Sequence, residues 1–115
     1  MSEGNGIQTQ AFHSARYSQA ANTTQYLHFT DDATEAVIFT GGRSTKRGVY
    51  LYGSAGSGGV GALTTVYAST GTGQVTLSVP TDTNAVKIEN GSTAAYILVI
   101  VFRGSLPTLS STAPS

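Results

Sequence analysis

Few residues in this 115-residue chain could do chemistry, and their spacing argues against most of the reactions they could support. Gly56-x-Gly58-x-x-Gly61 matches the dinucleotide-binding pattern, with Asp82 placed about where the ribose-binding acid would stand. That pattern works only when a helix begins at the loop and its N-terminus meets the pyrophosphate. Here Leu63-Thr64-Thr65-Val66-Tyr67 follows, a β-branched and strand-like run, and the chain has no room for a set of βαβ units. Gly53 to Gly61 therefore reads as a hairpin loop, and no cofactor is expected.

The same weighing removes the other sites. His13 and His28 are the only histidines, and with Asp31, Asp32 or Glu35 they could hold a metal through imidazole and carboxylate. Neither has a second ligand at a metal-binding spacing, and His28 sits in an alternating run that turns it toward solvent or an interface. No metal is expected. Asp31-Asp32 could be mistaken for a glycosidase pair, but adjacent strand residues diverge to opposite faces, so a turn is the better reading. Serines are plentiful without a Gly-x-Ser-x-Gly elbow. The absence of cysteine excludes disulfides and thiolate metal sites. No catalytic residue can be assigned, and the expectation is a protein that binds and assembles rather than an enzyme.

Charge narrows the partners. Six basic and six acidic side chains give a formal charge of zero, and charged residues make up only 10% of the chain. Nucleic-acid binding needs a basic surface, so nucleic acid is not expected as a partner. Arg43, Lys46 and Arg47 form the one basic cluster; it could meet acids on a partner or simply solvate a hairpin end. A chain with so little charge does not repel its own copies. The first ten residues carry no apolar signal core, and the longest apolar run, Ala94 to Phe102, is too short for a membrane helix. Synthesis in a cytoplasm with no membrane span is expected.

These residues need elements to position them, and the patterning supplies strands. Val75, Leu77 and Val79 alternate with Thr76 and Ser78; Val86 and Ile88 flank Lys87; Leu27 and Phe29 flank His28. Val49 and Leu51 share one face, Tyr50 and Tyr52 the other. Such period-two runs of Val, Ile, Thr, Tyr and Phe suit a pleated, half-buried surface. Gly-, Pro- and Asn-rich turns separate them, which predicts an all-β, single-domain antiparallel sandwich or barrel. Phe12 to Asn22 fits a strand or extended arm better than a helix, since no capping signal opens it. Val86 to Glu89, Asn90-Gly91 and the run from Ala94 read as a hairpin. Residues 1–10 and 104–115 read as polar arms around a domain at 11–103.

Ala94 to Phe102 is apolar on both faces, so it must be covered twice: once by the core, once by a loop, an arm or another subunit. Tyr50, Tyr52, Tyr67 and Tyr96 are the aromatic reserve for an interface or for stacking on a sugar. Tyr50 and Tyr52 beside the Gly53–Gly61 loop would serve a carbohydrate- or receptor-binding module.

The segment Gln74 to Phe102, QVTLSVPTDTNAVKIENGSTAAYILVIVF, resembles the closing strands of small virion proteins of tailed phages, of the capsid decoration (cement) type. The resemblance implies a β-sandwich, often jelly-roll-like, that oligomerises, commonly as a homotrimer, and clamps major capsid protein subunits on the surface of a virion. On that reading the contacts come from the arms and the outer sheet face, with Ile7, Phe12, Arg43, Lys46, Arg47, Tyr50, Tyr52, Tyr96 and Leu106 as expected contact residues.

Overall fold

The computed structural model describes residues 12–55 and 59–114. Among the described residues nine strands follow one another: β1 (His13–Gln19), β2 (Thr24–His28), β3 (Thr34–Gly41), β4 (Gly48–Ala55), β5 (Val60–Ala68), β6 (Val75–Ser78), β7 (Ala85–Asn90), β8 (Ala95–Arg103) and β9 (Thr108–Ser110). One 3-10 turn, Ser44–Lys46, links β3 to β4. The strands form two antiparallel sheets packed face to face, ordered β1-β8-β3-β4-β5 and β6-β7-β2-β9. This is the expected β-sandwich. Its pairs β1–β8 and β2–β7 are nested, as in a rolled-up chain, whereas β3-β4-β5 is a plain meander within one sheet, so the topology is only partly that of a jelly roll.

The core is the meeting of alternate side chains from both sheets. Ile38, Ala95, Ile97, Val99 and Val101 face Leu27, Val75, Val86 and Ile88, and all are buried. Branched residues at every second position fill such a layer and hold little rotamer freedom to lose. Phe29 stacks on Tyr52 with ring centroids 4.5 Å apart. Gly61 must lack a side chain because the Tyr52 ring lies over its Cα.

Polar side chains close both ends of this core. At one end Lys46 crosses from the first sheet and its Nζ donates to the Gly73 carbonyl (2.5 Å) and to Asn90 Oδ1 (2.6 Å). Asn90 Nδ2 in turn donates to the carbonyls of Ala20 (3.0 Å) and Thr93 (2.9 Å), and Gln19 Nε2 donates to those of Thr23 (3.0 Å) and Ile88 (3.1 Å). At the other end the Tyr52 hydroxyl donates to Asn84 Oδ1 (2.5 Å), and Asn84 Nδ2 donates to the Asp31 carbonyl (2.7 Å).

Two expectations change. The predicted hairpin at Asn90-Gly91 is not one: β7 lies in the four-stranded sheet and β8 in the five-stranded sheet, so the connection crosses between layers. Asn90 is committed to the buried network rather than to a two-residue turn, and Thr93, not the Asn-Gly pair, takes the positive φ of 68°. Residues 104–115 are not a free arm along their whole length. Thr108–Ser110 pairs with β2, Leu106 and Leu109 pack on the core, and the Tyr17 hydroxyl donates to the Pro107 carbonyl (2.6 Å). Phe12 to Asn22 contains a strand, β1, as preferred over a helix.

Candidate assembly surface

Each sheet has one face in the core and one turned outward, and the outward faces differ in chemistry. On the four-stranded sheet, register places Thr76, Glu89 and Thr24 in one row and Ser78, Lys87, Tyr26 and Ser110 in the next. Lys87 Nζ stands 3.9 Å from Glu89 Oε2, and His28 Nε2 lies 3.0 Å from Ser110 Oγ. His28 is thus one member of a polar, solvent-facing sheet. No group of three or more His, Cys, Asp or Glu is placed to hold a metal among the described residues.

On the five-stranded sheet the corresponding rows read Ser14, Ile100, Val37, Leu51, Thr64 and Arg16, Leu98, Phe39, Val49, Tyr67. Hydroxyls and one guanidinium edge a field of aliphatic and aromatic groups. Tyr96 is 59% exposed, Leu51 48% and Phe102 45%. A shallow trough runs across this face, lined by Glu35, Val37, Leu51, Val60, Ala62 and Phe102. Phe12 continues the patch past the start of β1: it is 59% exposed and sets its ring edge-on to Phe102, centroids 5.3 Å apart at 87°. Contiguous apolar surface of this kind is uncommon on a solvated exterior and makes this face the candidate contact surface.

Strand register decides which expected contact residues reach this surface. Tyr96 and Phe12 do. Tyr50 and Tyr52 do not: they turn inward, 2% and 3% exposed, while Val49 and Leu51 turn outward. Both faces of β4 are apolar, so alternation leaves the direction open; the tyrosines win the core because each finds cover there, Tyr52 also a partner in Asn84. Burial raises both phenols, that of Tyr52 to about 12. Lys46 is the third correction. It is 1% exposed, and its ammonium is spent on two carbonyl oxygens inside the fold. Burial, with Arg43 nearby, holds its pKa below the usual lysine range. Arg43 and Arg47 remain exposed, so the expected basic cluster has two members at the surface instead of three. Leu106 is partly buried against its own core, and Ile7 lies outside the described residues.

The sequence reading missed the contributions of β3 and β4: Val37, Phe39, Val49 and Leu51. The signal for them was present, since Val37-Ile38-Phe39 and Val49 to Tyr52 are, like β8, apolar without alternation. Three neighbouring strands with that property make a sheet greasy on both sides. No protein-family model, no curated protein and no solved structure matches this chain.

Proposed function

We propose that the protein is a non-enzymatic structural component of a tailed-phage virion, a homo-oligomeric decoration protein that stabilises the capsid by bridging major capsid protein subunits. The observation that carries its role as an assembling protein is the outer face of the five-stranded sheet, where Leu51 is exposed and Leu98, Ile100, Val37, Phe39 and Val49 are partly exposed, one apolar field with no further layer over it among the described residues. Fully burying one Leu, Ile or Phe is worth about 1.5–3 kcal/mol, so a modest contact suffices for each copy on a repeating shell. The viral setting rests on the resemblance of Gln74 to Phe102 to phage decoration proteins. The glycan-binding alternative leans on Tyr50 and Tyr52, whose rings face inward.

Co-sedimentation of the protein with capsids tests this reading. Wild type is expected to pellet with the shell, and Ile100→Lys, which places an ammonium in the middle of the outer face, is expected to stay in the supernatant. Binding to a glycan array by a protein that ignores capsids would overturn the proposal.

A further inference from the structure

A sheet edge is a row of unpaired N–H and C=O groups, and proteins blunt such edges with short strands, charges or prolines. Three of the four edges here are blunted. Strand β6 has four residues with Pro80 just beyond, β9 has three residues next to Pro107, and β1 carries His13 and Arg16. Strand β5 is different. It has nine residues, VGALTTVYA, with no charge and no proline. Its last five residues, Thr64 to Ala68, are all exposed, Val66 at 59% and Tyr67 at 54%, so this part of the strand overhangs the sandwich. A bulge at Val66 bends only its final residues.

The free groups can be named. Gly61 N–H points away from β4 and donates to the Thr83 carbonyl (2.9 Å). Backbone groups alternate along an antiparallel ladder, so Leu63 and Thr65 aim their N–H and C=O the same way as Gly61. Beyond them lies no strand of the described chain.

We propose that β5 joins two copies of the chain, antiparallel, about a two-fold axis at Thr64. Leu63 and Thr65 of one copy exchange backbone hydrogen bonds with Thr65 and Leu63 of the other. The two Thr64 side chains meet as a non-hydrogen-bonded cross-strand pair, and the two sheets become one with a continuous apolar outer face. The occupant is a second copy because β5 is its own best complement: it is uncharged, rich in strand formers and carried by a chain of zero formal charge. The segment preceding Phe12 competes poorly, since Gly4 and Gly6 weaken it as a strand and Met1 and Ile7 are its only large apolar residues. The pairing deepens the proposed function and rests on its self-association. An isologous contact closes at two copies, so it yields even-numbered assemblies instead of the trimer that the resemblance implies.

Sedimentation velocity over a concentration series tests the pairing on wild type, Thr64→Lys, Thr64→Glu and their equimolar mixture, with circular dichroism confirming a folded β protein. Wild type is expected to run as a dimer, each variant to dimerise at least about tenfold more weakly because like charges then stand opposite, and the mixture to recover the dimer. Hydrogen exchange on wild type supplies a readout free of substitution: the Leu63 and Thr65 amides are expected to be protected in concentrated protein and to exchange on dilution. A wild type that stays monomeric at every concentration overturns both the pairing and the homo-oligomer. An oligomer of any size whose mass both variants retain, or whose Leu63 and Thr65 amides exchange freely, overturns the β5 pairing alone.

Discussion

The two outward faces of this sandwich are built by one chain under the same backbone geometry, and they differ in what they can tolerate from water. The four-stranded sheet shows Thr24, Tyr26, His28, Thr76, Ser78, Lys87 and Glu89, a surface that needs nothing further. The five-stranded sheet shows Leu98, Ile100, Val37, Phe39, Val49 and Leu51. Since strand sequence alternates with a period of two, each face is set independently of the core behind it. The difference is therefore one of chemistry: one face is polar and suited to solvent, and the other is apolar, the face that the proposed assembly would cover.

The largest effect that sharpens this contrast comes from behind the greasy face. Ile97 and Leu98 are neighbours on β8 and of similar size, but Ile97 is fully buried and Leu98 only partly. Ile97→Ala is expected to cost about 2–5 kcal/mol in urea unfolding of the isolated chain, through lost transfer energy and the cavity left behind. Leu98→Ala should cost less than half as much in the same experiment, because its side chain is only partly removed from water. Equal losses would mean that the outer face is already covered within one copy.

Next in size is the bolt across the polar end. Lys46→Met keeps most of the volume but strips the hydrogen-bond donor from Asn90 Oδ1 and the Gly73 carbonyl. Leaving such buried acceptors unsatisfied costs about 1–3 kcal/mol each, partly offset by no longer burying an ammonium. A net loss of about 1–3 kcal/mol in thermal or urea unfolding is the expected result.

How far these regions could be read in advance follows from the same residues. The strands were legible because Val75-Thr76-Leu77-Ser78 and Val86-Lys87-Ile88 alternate cleanly, and the need for a second cover over β8 was legible because its alternation fails. The direction of Tyr50 and Tyr52 was not, since a strand apolar on both sides carries no internal mark of which side is core. Lys46 was read as a surface charge because lysine is almost never fully buried; only the tertiary fold brings the Gly73 and Asn90 acceptors to it. Asn90-Gly91 carried a strong hairpin signal that a long-range role for the Asn side chain overrode.

A smaller effect is expected from alkaline pH. The Tyr52 phenol is raised from 10.0 to about 12 by burial, and that of Tyr50 is raised too. The unfolded chain therefore releases these protons first. Stability is full below pH 10 and falls as pH rises toward about 12, by about 1–2 kcal/mol for Tyr52. Lys46, lowered by burial, acts in the opposite sense below its usual value of 10.5, where rising pH favours the fold. Tyr52→Phe should flatten the decline between pH 10 and 12 in a urea-melt series. Smallest of all, Thr76→Ala on the polar face is expected to change stability by less than about 0.5 kcal/mol and to leave assembly untouched.

Hydroxyl-radical footprinting of the protein free and bound to the capsid compares the two faces directly. Tyr96, Leu98 and Phe102 are predicted to lose reactivity on binding while Tyr26 and His28 keep theirs; unchanged labelling of the β8 residues, or equal protection of both faces, would contradict the assignment of the five-stranded sheet as the surface that meets protein.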